Sequence, residues 1–431
     1  MFLHKYIIFP AIFSYKRLNI YDKLNTLSEY EINNYENIED VQLNLLMKLM
    51  GIANKYSKYY SNIFMEQGID VKNIKNIKDI DRLPILDRDY LRLENSKNIL
   101  TENTKYSVKR RTTGTSGKPI TVFLNEEALA WQLSTRYHFY RWYGIEIGDR
   151  EARFWGRPLK GKLFKIQDYL LNRKRFSFYN NNMEEAKKEY DELLKFKPDY
   201  IYGYSSLIIN AAKYFENKKV NKFKLKAIIC TAEGITKYQK RYVEKVFCCP
   251  VIEEYGCSEI DIIAFECPSK NLHVASFRTL LETTSSKEAV VTDLNNSLMP
   301  LIRYKLGDYI EISGDKCICG RNLPVIKKLL GRTIDQMVKL ESGECFNVIA
   351  LEYMLEDIVD IGYDLKQYKI IQCGKTITFE LDLDNKREQF EKELQDKFNK
   401  FIGGKLDMKV VFKQIETSEE NKYTSFEYRS S

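Results

Sequence analysis

Apolar side chains recur at helical spacing through residues 40–60, and residues 1–80 read as mostly helical. From Tyr106 onward the period alternates between two and nearly four. Residues 121–124 predict a strand, and 126–143 a long amphipathic helix stopped at Gly144. A helix over 184–195 closes before Pro198, and 199–204 reads as strand and turn. Residues 225–230 predict a buried strand, and 237–247 the helix after it. This alternation predicts an α/β fold with mostly parallel sheets, in which ligand loops gather at the carboxyl ends of strands.

The pattern changes after Gly331-Arg332. A helix over 348–358, strands over 367–373 and 376–383, a charged helix over 386–401 and a final strand over 406–414 form a small α+β unit. The expected organisation is a large domain over 1–333 and a mobile C-terminal domain over 334–431, with the boundary near Thr333–Asp335.

Composition narrows the class. Hydrophobic residues at 44% and charged residues at 30% suit a chain with a sizeable core. The 68 basic residues exceed the 60 acidic ones only mildly and are scattered, apart from runs such as Lys109-Arg110-Arg111, so no nucleic-acid partner is expected. Nine cysteines, an odd count with adjacent Cys248-Cys249 and a Cys-x-Cys pair, point to reduced thiols or metal binding in a reducing compartment. The apolar run 6–13 is broken by Pro10 and lacks the flanks of a signal peptide. No stretch approaches the roughly 18 apolar residues of a membrane span, so a cytoplasmic location is expected.

The most informative segment is Arg111-Thr112-Thr113-Gly114-Thr115-Ser116-Gly117-Lys118-Pro119-Ile120. Its glycines let backbone N–H groups approach a ligand, and its hydroxyls add donors, so it can wrap an anion such as a triphosphate. It is not a Walker A loop, which needs four residues between its glycine and the Gly-Lys pair and then Ser or Thr. A polar connection between strands is the other reading.

Further on come Glu254-Tyr255-Gly256-Cys257-Ser258-Glu259, Arg303-Tyr304-Lys305-Leu306-Gly307-Asp308 and Gly331-Arg332-Thr333-Ile334-Asp335. In order and separation these resemble the core motifs of the adenylate-forming enzymes. The likeness is greatest to the phenylacetate–CoA ligase branch, with its relatives in capsular polysaccharide biosynthesis. It extends from about Leu83 to near the C-terminus: Leu83-Pro84-Ile85-Leu86-Asp87-Arg88 resembles the branch's opening segment. Residues 225–234 resemble its strand-to-adenine loop, and 299–304 the approach to its ribose-binding aspartate.

The resemblance implies ATP-dependent activation of a small carboxylic acid, with an aromatic acid as the family's suggestion. Thr112, Thr113, Gly114, Thr115, Ser116, Gly117 and Lys118 would hold the β- and γ-phosphates, and Glu259 would help ligate Mg²⁺. Tyr255 would lie against adenine with Ala232 and Glu233 on the other side, and Asp308 and Arg332 would take the ribose. Taken singly, Glu259 reads equally as a surface acid, Asp308 as a turn residue and Arg332 as an ion-pair partner. The family's adenylation lysine follows a glycine near the C-terminus. Lys422 matches that place, although Asn421 replaces the glycine and the following basic residues are absent; an ordinary solvated lysine is the alternative. At the family's hinge stands β-branched Ile334, followed by Asp335.

Cys267 with His273, and Cys317 with Cys319, supply three thiolates and one imidazole, a tetrahedral set for structural Zn²⁺. Comparable sites occur in the branch; unrelated packed cysteines are the alternative. Cys257 invites a nucleophile reading but has no neighbouring histidine, and His138 reads as a core histidine. Arg153, Trp155, Gly156 and Arg157 fall where the branch builds its acid pocket and its helix entry; Arg153 and Arg157 read equally as surface bases. The acyl group would pass to coenzyme A, a carrier-protein thiol or an amine. The alternatives are a glycan-biosynthesis enzyme with a sugar or amine acceptor, and a degenerate non-catalytic nucleotide-binding relative. Members of the branch are often homodimers, and nothing in the sequence marks a dimer face.

Overall fold

The computed structural model describes residues 2–92, 94–102, 108–111, 120–155, 161–178, 183–216, 218, 224–330, 337–342, 344–359, 362–383, 386–415 and 426–429. Its centre is an eleven-stranded sheet. In spatial order the strands are Thr279–Thr283, Glu288–Asp293, Tyr304–Ser313, Val325–Leu330, Leu272–Val274, Asp261–Glu266, Val251–Cys257, Ala227–Thr231, Tyr200–Tyr204, Glu151–Phe154 and Arg173–Phe176. The parallel ladders expected from the alternating pattern run from Val251–Cys257 to the edge strand Arg173–Phe176. The remaining ladders are antiparallel, so the sheet is mixed. Short connections such as 258–260 and 267–271 join antiparallel neighbours, whereas parallel neighbours need a crossover of a dozen or more residues.

Local chemistry sets the helices. The apolar stretch 40–60 divides into Ile38–Tyr56 and Lys58–Glu66, because Ser57 is extended and its Oγ accepts the Tyr60 N–H at 3.4 Å as an N-cap. Helix Glu126–Arg141 starts where Asn125 accepts the Ala128 N–H at 2.9 Å, and Gly144 turns the chain with a positive φ of 71°. Helix Lys237–Phe247 begins in a capping box made by Thr236 and Gln239. At Gly203 the backbones approach so closely that a Cβ would lie 2.1 Å from the Phe154 carbonyl oxygen.

The C-terminal part carries a second sheet, ordered Asp407–Phe412, Thr376–Leu383, Leu365–Cys373 and Phe426–Arg429. Helices Ile349–Val359 and Arg387–Ile402 close a separate core with it, around Leu355, Ile370, Phe379 and Phe398. The strand expected to be last is Asp407–Phe412; Phe426–Arg429 follows it and adds in parallel to Leu365–Cys373. Four residues after a polar stretch give too little pattern to be read as a strand. The expected boundary at 333–335 lies outside the described residues. The fold is therefore α/β with a smaller C-terminal α+β unit.

One buried ion cluster ties the parallel strands together. Glu151 meets Arg153 Nε at 2.5 Å and Arg173 Nε at 2.7 Å, and its Oε2 accepts the Tyr200 hydroxyl at 2.8 Å. Burial alone would raise the carboxyl, but the two guanidiniums and the hydroxyl hold it down to about 2. The stabilisation is present above the unfolded value near 4.5 and fades as pH falls toward 2. Wild type should lose about 3 kcal/mol across that window beyond what Glu151→Gln loses. Parallel melting curves that do not converge on acidification would count against this assignment.

Candidate active site

The carboxyl ends of the parallel strands, the first antiparallel neighbours and the C-terminal unit enclose a cleft of about 1760 Å³. It brings together Ala232, Glu233, Tyr255, Glu259 and Asp308, although 76 positions separate the first from the last. Ala232 leaves strand Ala227–Thr231 in a left-handed conformation, φ 66°. Glu233 faces away from a purely ligand-binding role: its carboxylate accepts the Ser206 N–H at 3.0 Å and its carbonyl accepts the Ser205 hydroxyl at 3.0 Å. It ties this loop to the start of helix Ser205–Phe215.

Tyr255 donates its hydroxyl to Asp308 Oδ2 at 2.9 Å, which fixes the two side chains against each other across neighbouring elements. Gly256 lets the strand pass tightly, since a Cβ there would sit 2.1 Å from the Asp261 carbonyl oxygen. Glu259 is 1% exposed. Its Oε1 accepts the Tyr304 hydroxyl at 3.1 Å and lies 3.5 Å from Arg88 Nη2. Its Oε2 is buried and has no hydrogen-bond donor among the described residues. An unmatched carboxylate oxygen in a cleft is a costly arrangement for the protein alone and suits a hard cation.

Arg88 is the residue that sequence reasoning left without a role. Segment 83–88 is held beside strand Tyr304–Ser313 by the Leu86 N–H to the Arg303 carbonyl at 2.9 Å and the Lys305 N–H to the Leu86 carbonyl at 3.0 Å. That bridge carries Arg88 into the cleft next to Glu259. The signal available was a basic side chain ending the opening segment.

Thr112, Thr113, Gly114, Thr115, Ser116, Gly117, Lys118, Arg332 and Lys422 lie outside the described residues, as do Gly156, Arg157, Ile334 and Asn421. The hydroxyl-rich loop is flanked by an antiparallel pair, Val108–Arg111 with Thr121–Leu124, in which Arg111 faces Thr121. Of the acid-pocket candidates, Trp155 stacks on Tyr204 at 4.3 Å, and Arg153 lies over the Tyr202 ring at 4.7 Å while paired to Glu151. Burial and the neighbouring Glu259 push the Cys257 thiol up, which disfavours a thiolate nucleophile. His138 is buried, bonded to the Tyr35 hydroxyl at 2.9 Å, and pushed down to about 3 by burial, Arg141 and Arg321: a neutral core histidine.

Cys267, His273, Cys317 and Cys319 gather so that their ligand atoms all lie within 4.8 Å of one another. Val325 pairs with His273 across the sheet, which brings the loop after strand Tyr304–Ser313 to the loop after Asp261–Glu266. The Cys267 and Cys317 sulfurs are 3.8 Å apart, and Cys319 Sγ is 3.2 Å from His273 Nε2. A tetrahedral zinc with bonds of about 2.3 Å sets its sulfurs about 3.8 Å apart. His273 Nδ1 donates to the Leu323 carbonyl at 3.1 Å, which leaves Nε2 facing the sulfurs, and Asn271 Nδ2 lies 3.2 Å from Cys317 Sγ. The donor set fits zinc.

No protein-family model matches the chain. It is 24% identical over 412 residues to Protein CapK of Staphylococcus aureus, covering 90% of this chain and 91% of that protein. It is 21% identical over 335 residues to the phenylacetate-coenzyme A ligase of Thermus thermophilus, covering 70% and 72%. Among solved structures, 2-hydroxyisobutyryl-CoA ligase in its postadenylation state superposes with a TM-score of 0.69 at 17% identity, covering 91% of this chain and 89% of that one. In its ordered motifs, its fold and these two sequence relatives, the chain is similar to the adenylate-forming enzymes, and among them to the phenylacetate–CoA ligase branch.

Proposed function

We propose that the protein is an ATP-dependent ligase that activates a small carboxylic acid as its acyl adenylate and passes the acyl group to coenzyme A or another thiol or amine. The observation that carries this reading is the convergence of Tyr255, Asp308 and the half-satisfied carboxylate of Glu259 on one cleft. Tyr255 would pack on adenine, and Asp308 and Arg332 would accept and donate to the ribose. Residues 112–118 would orient the phosphates so that the acid attacks the α-phosphorus and pyrophosphate leaves. Glu259 would hold Mg²⁺, whose charge offsets that of the phosphates. Lys422 would neutralise the transition state, and movement of the C-terminal domain, 334–431, would exchange adenylation for acyl transfer. Cys267, His273, Cys317 and Cys319 would hold zinc as a clip between two cleft-forming segments.

The acceptor has a second reading. CapK aligns over more of its length than the coenzyme A ligase does, and the resemblance to capsule and glycan relatives favours a sugar or amine acceptor beside coenzyme A. Pyrophosphate release should depend on one acid from a panel of aryl, short-chain and hydroxy acids, and should be lost in Lys422→Ala. Failure to release pyrophosphate with any acid, despite firm ATP binding, would favour a non-catalytic nucleotide-binding relative. Activity that survives Lys422→Ala would move the lysine's role elsewhere.

A further inference from the structure

The crossover helix Lys162–Leu170 joins strands Glu151–Phe154 and Arg173–Phe176, a position where a helix ordinarily covers the sheet with its apolar face. None of its residues is buried. Leu163, Ile166 and Leu170 fall at i, i+3 and i+7 on one stripe and are 81%, 55% and 38% exposed. A second helical segment touches this helix. His4 is bonded through Nε2 to the Tyr169 carbonyl at 2.9 Å, and its ring meets Tyr169 edge-on at 5.5 Å. On the consecutive N-terminal helices His4–Ile8 and Phe9–Tyr15, Phe9 and Phe13 are anchored in the core, while Tyr6, Ile7 and the preceding Leu3 stand exposed. Two touching helices thus both carry exposed apolar side chains.

Their rim is cationic. Lys162 and Lys165 are exposed on the crossover helix, and Lys16 and Arg17 are exposed at the end of its neighbour. Residues 2–17 contain no carboxylate. Asp168, the one acid of the crossover helix, is held by Arg175 at 3.0 Å.

We propose that this two-helix face docks in the plane of an anionic lipid bilayer. An apolar stripe bordered by exposed lysines is the arrangement that buries side chains at the acyl boundary and leaves cations among acidic headgroups. No helix among the described residues is long and apolar enough to cross a membrane, so the contact is interfacial. A second copy is the poorer occupant, because a two-fold pairing sets the same cationic rim against itself. The surface stands independently of the ligase reading.

Full-length protein is floated with phosphatidylcholine vesicles, with and without phosphatidylglycerol, beside Leu163→Glu/Ile166→Glu and Lys162→Glu/Lys165→Glu variants that melt like wild type. Wild type should float only with phosphatidylglycerol present, and less well as salt rises. Each variant should bind at least about tenfold more weakly. No flotation, equal flotation on neutral vesicles, or flotation that neither variant weakens overturns the proposal. So does a wild-type dimer in light scattering that Leu163→Glu/Ile166→Glu converts to monomer, which would assign the face to a second copy.

Discussion

Glu259→Gln is expected to lower acid-dependent pyrophosphate release by about 10²–10³-fold while the protein stays folded. The substitution keeps the side-chain volume and the acceptor for the Tyr304 hydroxyl, which now reaches Oε1 at 3.1 Å. What it removes is the negative charge and the second oxygen, the buried Oε2 that no described donor satisfies. A group held at a cost to the fold is a group held for a ligand, so the melting temperature should be unchanged or slightly raised. The Mg²⁺ concentration that supports half-maximal activity should rise in the variant. That shift separates cation binding from a packing role, which would lower stability and leave the Mg²⁺ dependence alone. Activity near wild type would remove Glu259 from the mechanism. Tyr304→Phe, which keeps the carboxylate, should cost far less.

The second large effect concerns the sulfur cluster. Purified protein should carry close to one zinc per chain by elemental analysis, and Cys317→Ser should carry almost none. Loss of the clip should destabilise the fold by about 4 kcal/mol, a fall in melting temperature of about 10 °C. The size follows from what the cluster joins: Cys267 and Cys319 are 52 positions apart and end two loops whose strands form parts of the cleft. Strong chelation of wild type should reproduce the variant's melting curve. Wild type that purifies without zinc, or a Cys317→Ser protein that melts like wild type, would return the four residues to ordinary packing.

Much of the fold was legible, for reasons particular to each element. Helix Lys237–Phe247 was readable to the residue because its period is clean and Thr236 caps it. Strand Thr376–Leu383 alternates inward and outward strictly, as a one-sided sheet requires. The antiparallel half was harder: Leu272–Val274 is three residues long, and Asp261–Glu266 is buried almost throughout. A short strand buried on both faces carries no alternation, and ladder direction leaves no mark on the period. Tyr255, Glu259 and Asp308 could be picked out through resemblance to a motif set, whereas Arg88 reaches the cleft through a single backbone bridge at Leu86 that no spacing in the chain encodes. The helix Lys162–Leu170 was not read from the sequence, and even a recognised amphipathic pattern says only that one face differs from the other. It does not say which face meets the protein.

Arg173–Phe176 is one of the two outer strands of the large sheet, and its composition has a further consequence. An open sheet leaves backbone groups unpaired along its rim, and such a rim invites another chain to add a strand and begin aggregation. Here three of the four residues are Arg173, Lys174 and Arg175, and their long cationic side chains stand on both faces of the rim. Glu151, Glu192 and Asp168 of the same chain already serve them as counter-ions. An incoming copy of this strand would have to set like charges opposite one another and compete for partners already engaged. Arg173, which helps steady the parallel strands, thus also helps guard this margin of the sheet against self-association.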